Sequence, residues 1–349
     1  VSNPVLALHE ITPDWLSGLF ERRVTSIEAT PIGTGQVGAT YRLKLQGDDV
    51  PASIIAKLPS NDDLSRATGK SHLTYLRESR FYQNFAGKRP MAVPDHLYVA
   101  FDDDSHDFTL IMHDLPRHVA GNQLSVPTRE EAMFAMDAAA SIHAAWWGDP
   151  MLDTLDWLNG TKAVPPPLDV NMLYNMFWPA FCDRYGDRVT PLMRQVGDAY
   201  LGKVGDWANR REGPRCLTHN DFRPDNMLFA PGDPQQPIVV VDWQTAGVGV
   251  GAGDIAYYMG TALDPGTRMA EEKALVARYQ QRLIEIGVDE NDVGNVWNAY
   301  RSASFAGFLM GSTAAMVVTQ TDRGDAMFLA MCERSAAMVV HHAEIALQS

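Results

Sequence analysis

From residue 24 to residue 112 apolar and polar positions alternate in short runs, whereas beyond residue 116 the apolar spacing is mostly that of helices. Val24 to Leu45 reads as two strands interrupted by Gly33-Thr34-Gly35-Gln36-Val37-Gly38, and Ser53 to Leu58 as a third strand, apolar except for Ser53 and for Lys57 near its end. Helical spacing appears at Leu73 to Tyr82, where Glu78 precedes the aromatic pair Phe81-Tyr82, whose burial turns this helix inward. Val93 to Phe101 and Phe108 to Met112 flank the polar turn Asp102 to Asp107, which predicts a hairpin completing a small antiparallel sheet. Thr12-Pro13 starts a peripheral helix with Leu16, Leu19 and Phe20 on one face.

After His113-Asp114-Leu115-Pro116, helical patterns run from Arg129 to about Trp147, Asn171 to Tyr185, Thr190 to Arg210, Ala270 to Ile286, Asp292 to Thr319 and Ala326 to Ala346. Among them, Met227 to Phe229 and Ile238 to Val241 read as a hairpin around the turn Ala230-Pro231-Gly232-Asp233-Pro234. Pro165-Pro166-Pro167 is a loop, too short to link domains. Ser302 to Thr321 carries no formal charge, but its Ser, Thr, Gln and Gly residues predict a buried helix and not a membrane span.

A chain of 349 residues exceeds one typical core, so two lobes are expected. Its 29 basic against 43 acidic residues, a net charge of −14, argue against a nucleic-acid surface and against anchoring on anionic lipid. A polyanionic ligand therefore needs local cations. Cys182, Cys216 and Cys332 are odd in number and widely spaced, which points away from disulfides and zinc and toward the reducing cytoplasm. The first residues lack the basic and apolar regions of a signal peptide.

The candidate chemistry lies in Leu217-Thr218-His219-Asn220-Asp221-Phe222-Arg223-Pro224-Asp225-Asn226 and in Asp242-Trp243-Gln244, which follows the apolar run. Asp221 is placed to accept a hydroxyl proton, with Asn226 and Asp242 as hard oxygen ligands for the Mg²⁺ that neutralises nucleotide phosphates. The glycine run admits two readings, an ordinary turn or a loop in which Gly33, Gly35 and Gly38 let backbone N–H groups approach phosphate. It is not a dinucleotide fingerprint, because Tyr41 to Leu45 continues as strand. Lys57 is either a snorkelling surface lysine or a phosphate ligand, and Glu78 either a solvated helix charge or the partner that orients Lys57. Glycine loop, strand lysine, helix glutamate, catalytic loop and metal aspartate occur in the order of a bilobal kinase fold, which favours the functional readings.

H-x-D-x-x-x-x-N followed by an apolar strand and D-W-Q resembles the catalytic loop of the aminoglycoside phosphotransferase and choline kinase superfamily. The Trp-Gln after the metal aspartate is most similar to the ecdysteroid kinase-like and related bacterial small-molecule kinases. The resemblance spans roughly Ile32 to Tyr258. It implies an α+β, bilobal protein-kinase-like fold, with a small antiparallel β lobe and one inward helix in residues 1–113 for nucleotide. Residues 114–349 then form a larger, mainly helical lobe with the catalytic loop and the acceptor pocket. It further implies that Lys57 holds the α- and β-phosphates and that backbone groups of Met112, His113, Asp114 and Leu115 meet adenine at the hinge. Two positions depart from the family, which usually has Glu where His113 stands and Gly where Asn220 stands. Gly247 to Tyr258 resembles the family's G-x-x-x-x-D-L-A element, in which Asp254 supports the catalytic loop; a helix N-cap is the other reading. With 11 residues between Asp242 and Asp254, and no A-P-E after them, the activation segment of a protein kinase has no room, so a peptide substrate is not expected.

The expected reaction is ATP- and Mg²⁺-dependent phosphorylation of a hydroxyl on a small molecule, without nucleic-acid or membrane partners. His219 is expected to brace the loop, and Arg223 either to reach the γ-phosphate or to form a structural salt bridge to Asp225 or elsewhere. Met172, Tyr174, Met176, Phe177, Trp178 and Phe181, with Trp297, Tyr300, Phe305, Phe308, Met310 and Met316, predict a largely apolar acceptor, core packing of the helical lobe being the other reading. The alternatives are an aminoglycoside or other polar alcohol as acceptor, a catalytically silent nucleotide binder, and a hydrolase using water.

Overall fold

The computed structural model describes residues 3–33, 38–159, 169–209 and 212–346. Two compact units account for the chain, Val1–His118 with Val241–Ala246, and Val119–Val240 with Gly247–Ser349.

The first unit contains α1 (Pro13–Phe20), β1 (Val24–Pro31), β2 (Gly38–Gly47), β3 (Ser53–Pro59), α2 (Asp63–Ser71), α3 (Thr74–Asn84), β4 (His96–Phe101) and β5 (Phe108–His113). Its five strands form one antiparallel sheet in the order β1-β2-β3-β5-β4, with Lys57 opposite Leu110 and Ile54 opposite His113. Alternation along β3 buries Ile54, Ala56 and Leu58 in a core shared with Leu16 of α1 and Leu43 of β2. Lys57 consequently leaves by the opposite face, where α3 lies. The sequence pattern did not disclose α2, whose residues are mostly polar; Asp62 caps it by accepting from the Ser65 N–H. Gly69 of α2 is required there, because a Cβ would stand 2.6 Å from the ring of Tyr75.

The second unit runs through β6 (Val119–Ala120), α4 (Arg129–Ala145), α5 (Met151–Thr154), α6 (Asp156–Asn159), α7 (Val170–Tyr185), α8 (Pro191–Ala199) and α9 (Val204–Asn209). It continues with β7 (Arg215–Thr218), β8 (Met227–Phe229), β9 (Ile238–Val240), β10 (Gly247–Val250), α10 (Ala252–Ala262), α11 (Pro265–Ile286), α12 (Val296–Ser302), α13 (Ala306–Val317), α14 (Asp322–His341) and α15 (Ala343–Ala346). Small antiparallel sheets, β6-β8-β9 and β7-β10, carry its loops.

Two helices expected as continuous are broken. The pattern from Thr190 to Arg210 divides into α8 and α9, because Gly202 takes a φ of +73° that ends a right-handed helix. That from Asp292 to Thr319 divides into α12 and α13, and at the break Phe305 stacks on Tyr200 with ring centroids 3.5 Å apart. No described helix is long and apolar enough to cross a membrane; the uncharged stretch at Ser302 to Thr321 contributes α13, of 12 residues. Pro165 to Pro167 lie outside the described residues, and all three cysteines are free thiols.

Candidate active site

The first unit holds a three-member ionic cluster. Lys57 Nζ lies 2.8 and 2.7 Å from Glu78 Oε1 and Oε2 and 2.7 Å from Asp242 Oδ1. Burial opposes the lysine's charge, but Asp242 and then Glu78 outweigh it, so its pKa is raised. Burial likewise raises the Glu78 carboxyl, with Lys57 pulling the other way. Asp242 comes to this cluster through its neighbours. It adopts a φ of +66°, and the next residue, Trp243, is fully buried and stacked on Phe81 of α3 at 3.8 Å with planes 3° apart. Gln244 Nε2 donates to Asp242 Oδ2 at 3.0 Å. The Trp-Gln pair is thus the anchor that fastens the aspartate to the helix bearing Glu78.

The other expected nucleotide residues are placed as follows. Gly33 has a φ of +72°, as a tight loop requires, and Gly38 opens β2 opposite Pro59; Gly35 lies outside the described residues. Met112 and His113 end β5, with the His113 N–H donating to Asp95 O. The Asp114 carboxylate receives Arg42 and Ser53, and Leu115 O closes a turn with the His118 N–H.

The second unit holds the base candidate. Asp221 lies in the loop between β7 and β8, and its two oxygens accept from Arg223 Nε at 3.0 and 3.2 Å, Asn226 Nδ2 at 2.8 Å and Tyr257 Oη at 2.7 Å. Burial alone pushes this carboxyl upward; the Arg223 charge, the Tyr257 hydroxyl, His219 and Asn226 together hold it below the usual carboxylate range. Of the roles considered for Arg223, the pairing with Asp225 forms, Nη1 lying 2.9 Å from Oδ2, and the contact of Nε with Asp221 is an addition that the sequence did not suggest. His219 Nδ1 accepts the Asp221 N–H, the brace expected of it. With its amide nitrogen turned toward Asp221, Asn226 keeps its amide oxygen as a hard donor atom; in the first unit Asp242 offers a carboxylate; each taken by itself is a donor type that suits Mg²⁺.

The loop is clamped from α10. Asp254 accepts from the His219 N–H at 2.7 Å and the Asn220 N–H at 2.9 Å, and its Oδ2 lies 3.2 Å from His143 Nε2. His143 Nδ1 in turn meets Tyr279 Oη at 2.8 Å. A side chain at Gly251 would sit 2.6 Å from both His143 Nδ1 and Tyr279 Oη, so this contact depends on glycine. Asn220 takes a φ of +63°, the conformation that glycine adopts most readily. Sequence reasoning missed Tyr257 and His143, one buried among nine other buried residues of α10 and the other a lone histidine in an alanine-rich helix.

Beside the loop, a cavity of about 320 Å³ is lined by Asn220, Asp254 and Tyr257 together with Leu173, Trp207, Leu309 and Met310. A larger one of about 500 Å³ shares Val250 with it but touches neither Asn220 nor Tyr257. The aromatic residues named above as an apolar lining are mostly something else. Tyr174, Trp178, Phe181, Phe305 and Phe308 are fully buried core, and Met172 and Met176 are exposed. Tyr300 donates to the buried Glu272. Met310 alone of that set lines the smaller cavity, because a helix of this lobe buries its large side chains against other helices first.

Solved structures with related folds were found at low identity. A Ralstonia eutropha protein to which aminoglycoside phosphotransferase activity has been ascribed is 16% identical over 94% of this chain and 97% of its own, with a TM-score of 0.55. Choline kinase from Cryptosporidium parvum is 11% identical over 91% of this chain and 88% of its own, with a TM-score of 0.52. Ethanolamine kinase from Plasmodium vivax is 14% identical over 91% of this chain and 81% of its own, with a TM-score of 0.51. These likenesses establish the small antiparallel sheet and larger helical part as a kinase-like α+β fold. No curated protein matches the sequence. The model of the phosphotransferase enzyme family matches residues 28–290, more than half of the chain and inclusive of Lys57, Glu78, Asp221, Asn226, Asp242 and Asp254, so this protein is a member of that family and a phosphotransferase.

Proposed function

We propose that the protein transfers the γ-phosphoryl group of ATP to the hydroxyl of a small, largely apolar alcohol bound in the 320 Å³ cavity. The observation that carries the acceptor class is the lining. Leu173, Trp207, Leu309 and Met310 present apolar surface, and the carboxylate among the lining residues, Asp254, is already engaged by two backbone N–H groups and His143. A polycationic aminoglycoside needs several uncommitted carboxylates, which this cavity lacks among the described residues. The alcohol class includes terpenoid, steroid and acyl-linked hydroxyls, in keeping with the resemblance to ecdysteroid kinase-like enzymes.

In this reading Asp221 accepts the hydrogen bond of the acceptor hydroxyl and takes its proton as the new O–P bond forms. A carboxylate held below its ordinary range is a weak base, which suits a loose transition state in which the proton moves late. Lys57, held by Glu78, contacts the α- and β-phosphates; the backbone at Gly33, Gly35 and Gly38 approaches phosphate, and Met112 to Leu115 meet adenine. Arg223 adds positive charge beside Asp221. Asn226 and Asp242 would hold Mg²⁺, which neutralises phosphate charge when bound. A panel of hydroxylated terpenoids, steroids, acyl alcohols, sugars, choline-like amines and aminoglycosides, read as stimulated ADP release, tests the assignment. Stimulation by the apolar members is expected. Kanamycin-class compounds used with micromolar KM would overturn it.

A further inference from the structure

A carboxylate offers about four lone-pair positions, and three donors of its own unit crowd those of Asp221: Arg223 Nε, shared between both oxygens, Asn226 Nδ2 on Oδ2 and Tyr257 Oη on Oδ1. An acceptor hydroxyl, or a water, reaches Asp221 by replacing one of these donors. Arg223 is held a second time by Asp225, and Asn226 a second time by the Asp221 carbonyl. Tyr257 differs from both. Of the three donors it alone borders the 320 Å³ cavity, whose lining among the described residues does not include Asp221, Arg223 or Asn226.

We propose that the Tyr257 hydroxyl occupies the seat of the acceptor hydroxyl on Asp221 Oδ1, keeping water off the base until an acceptor displaces it. This makes Tyr257 a positioning residue that couples ATP consumption to the acceptor, and it rests on the assignment of Asp221 as base. The reaction it suppresses is hydrolysis. There the water oxygen forms a bond to the γ-phosphorus, the bond from that phosphorus to the β–γ bridging oxygen breaks, the water proton passes to Asp221, and ADP and inorganic phosphate leave.

The test needs no acceptor. ADP release from Mg·ATP is measured for the full-length parent, Tyr257→Phe, Tyr257→Met, Asp221→Asn and the double variant Tyr257→Phe/Asp221→Asn, with thermal melting to verify folding. Removing a charge-assisted hydrogen bond of this kind changes an equilibrium by roughly ten- to a hundred-fold, so acceptor-independent hydrolysis should rise about tenfold in both Tyr257 variants. The rise should vanish in the double variant. A purely structural role for Tyr257 lowers activity or leaves it unchanged, and hydrolysis no faster than the parent's in a folded Tyr257→Phe or Tyr257→Met protein overturns the proposal. If Tyr257→Phe raises hydrolysis and Asp221→Asn does not reverse the rise, the assignment of Asp221 as base fails, and this inference with it. If Asp221→Asn lowers turnover while neither Tyr257 variant raises it, the base assignment stands and only the inference falls.

Discussion

Replacing Glu78 tests whether the ionic cluster of the first unit works as one device. Lys57 Nζ has two anionic partners, Glu78 at 2.7 Å and Asp242 at 2.7 Å, so Glu78→Ala leaves the lysine paired but no longer held from α3. The loss is that of one charged hydrogen-bonding partner, about 1.5–3 kcal/mol. Read as transition-state stabilisation, this is roughly a ten- to 150-fold fall in turnover. Lys57→Ala should cost more, since it removes the proposed phosphate contact itself. If Glu78 acts through Lys57, the double replacement should turn over about as fast as Lys57→Ala alone. Stability should move in the opposite sense. Lys57→Ala strands Glu78, whose side chain is 4% exposed, beside Asp242, and stranding a buried charge costs about 3–5 kcal/mol. The double variant should recover part of that in urea unfolding. The assays are ADP release at saturating acceptor, Mg·ATP titration calorimetry and urea midpoints on the four proteins of the cycle. Additive losses of turnover would refute the reasoning, because they would mean that Glu78 contributes independently of Lys57.

Asp221→Asn should leave Mg·ATP affinity near the parent's by calorimetry while turnover falls by on the order of 10² to 10⁴, the contribution of a positioned base. Asp242→Ala should weaken Mg·ATP binding and turnover together, and unchanged affinity would remove it from the metal ligands. Trp243→Ala deletes a fully buried indole stacked on Phe81 and should cost about 3–5 kcal/mol in urea unfolding. Asp221 and Asp254 both have carboxyls held below the usual range; for Asp254 burial acts upward, and His143 and the loop N–H groups overcome it. Since these folded values are depressed, the stability they contribute is complete above the unfolded value of about 3.9 and is lost as pH falls through the lower folded values. Melting temperatures should therefore show no fall on their account from pH 7 to 5 and a drop below about pH 4, smaller in Asp254→Asn than in the parent.

Much of the fold was legible because it rests on local periodicity and on residues with few alternative uses. The period-two runs gave the strands of the first unit, and His219, Asp221, Asn226, Asp242 and the intervening apolar run identified the superfamily, since their spacing follows directly from one loop and one hairpin. Lys57 and Glu78 were readable as a pair only through their order relative to that loop, and their mutual distance needed the structure. Broken helices, α2 and the cavity lining were not legible. Whether Phe305 stacks on Tyr200 or Met310 faces a cavity depends on which helices meet, and a helical pattern marks a buried face without naming what covers it.

The sequence by itself determined the reaction class, because phosphoryl transfer draws on few residue types at spacings that one short segment can display. Only the tertiary structure decided what surrounds Asp221. Tyr257 lies 36 residues from Asp221 and His143 lies 111 from Asp254, and neither contact leaves a periodic trace in the chain. They arise where α10 packs against the loop between β7 and β8, so the donors that surround the Asp221 carboxylate are properties of packing and not of spacing.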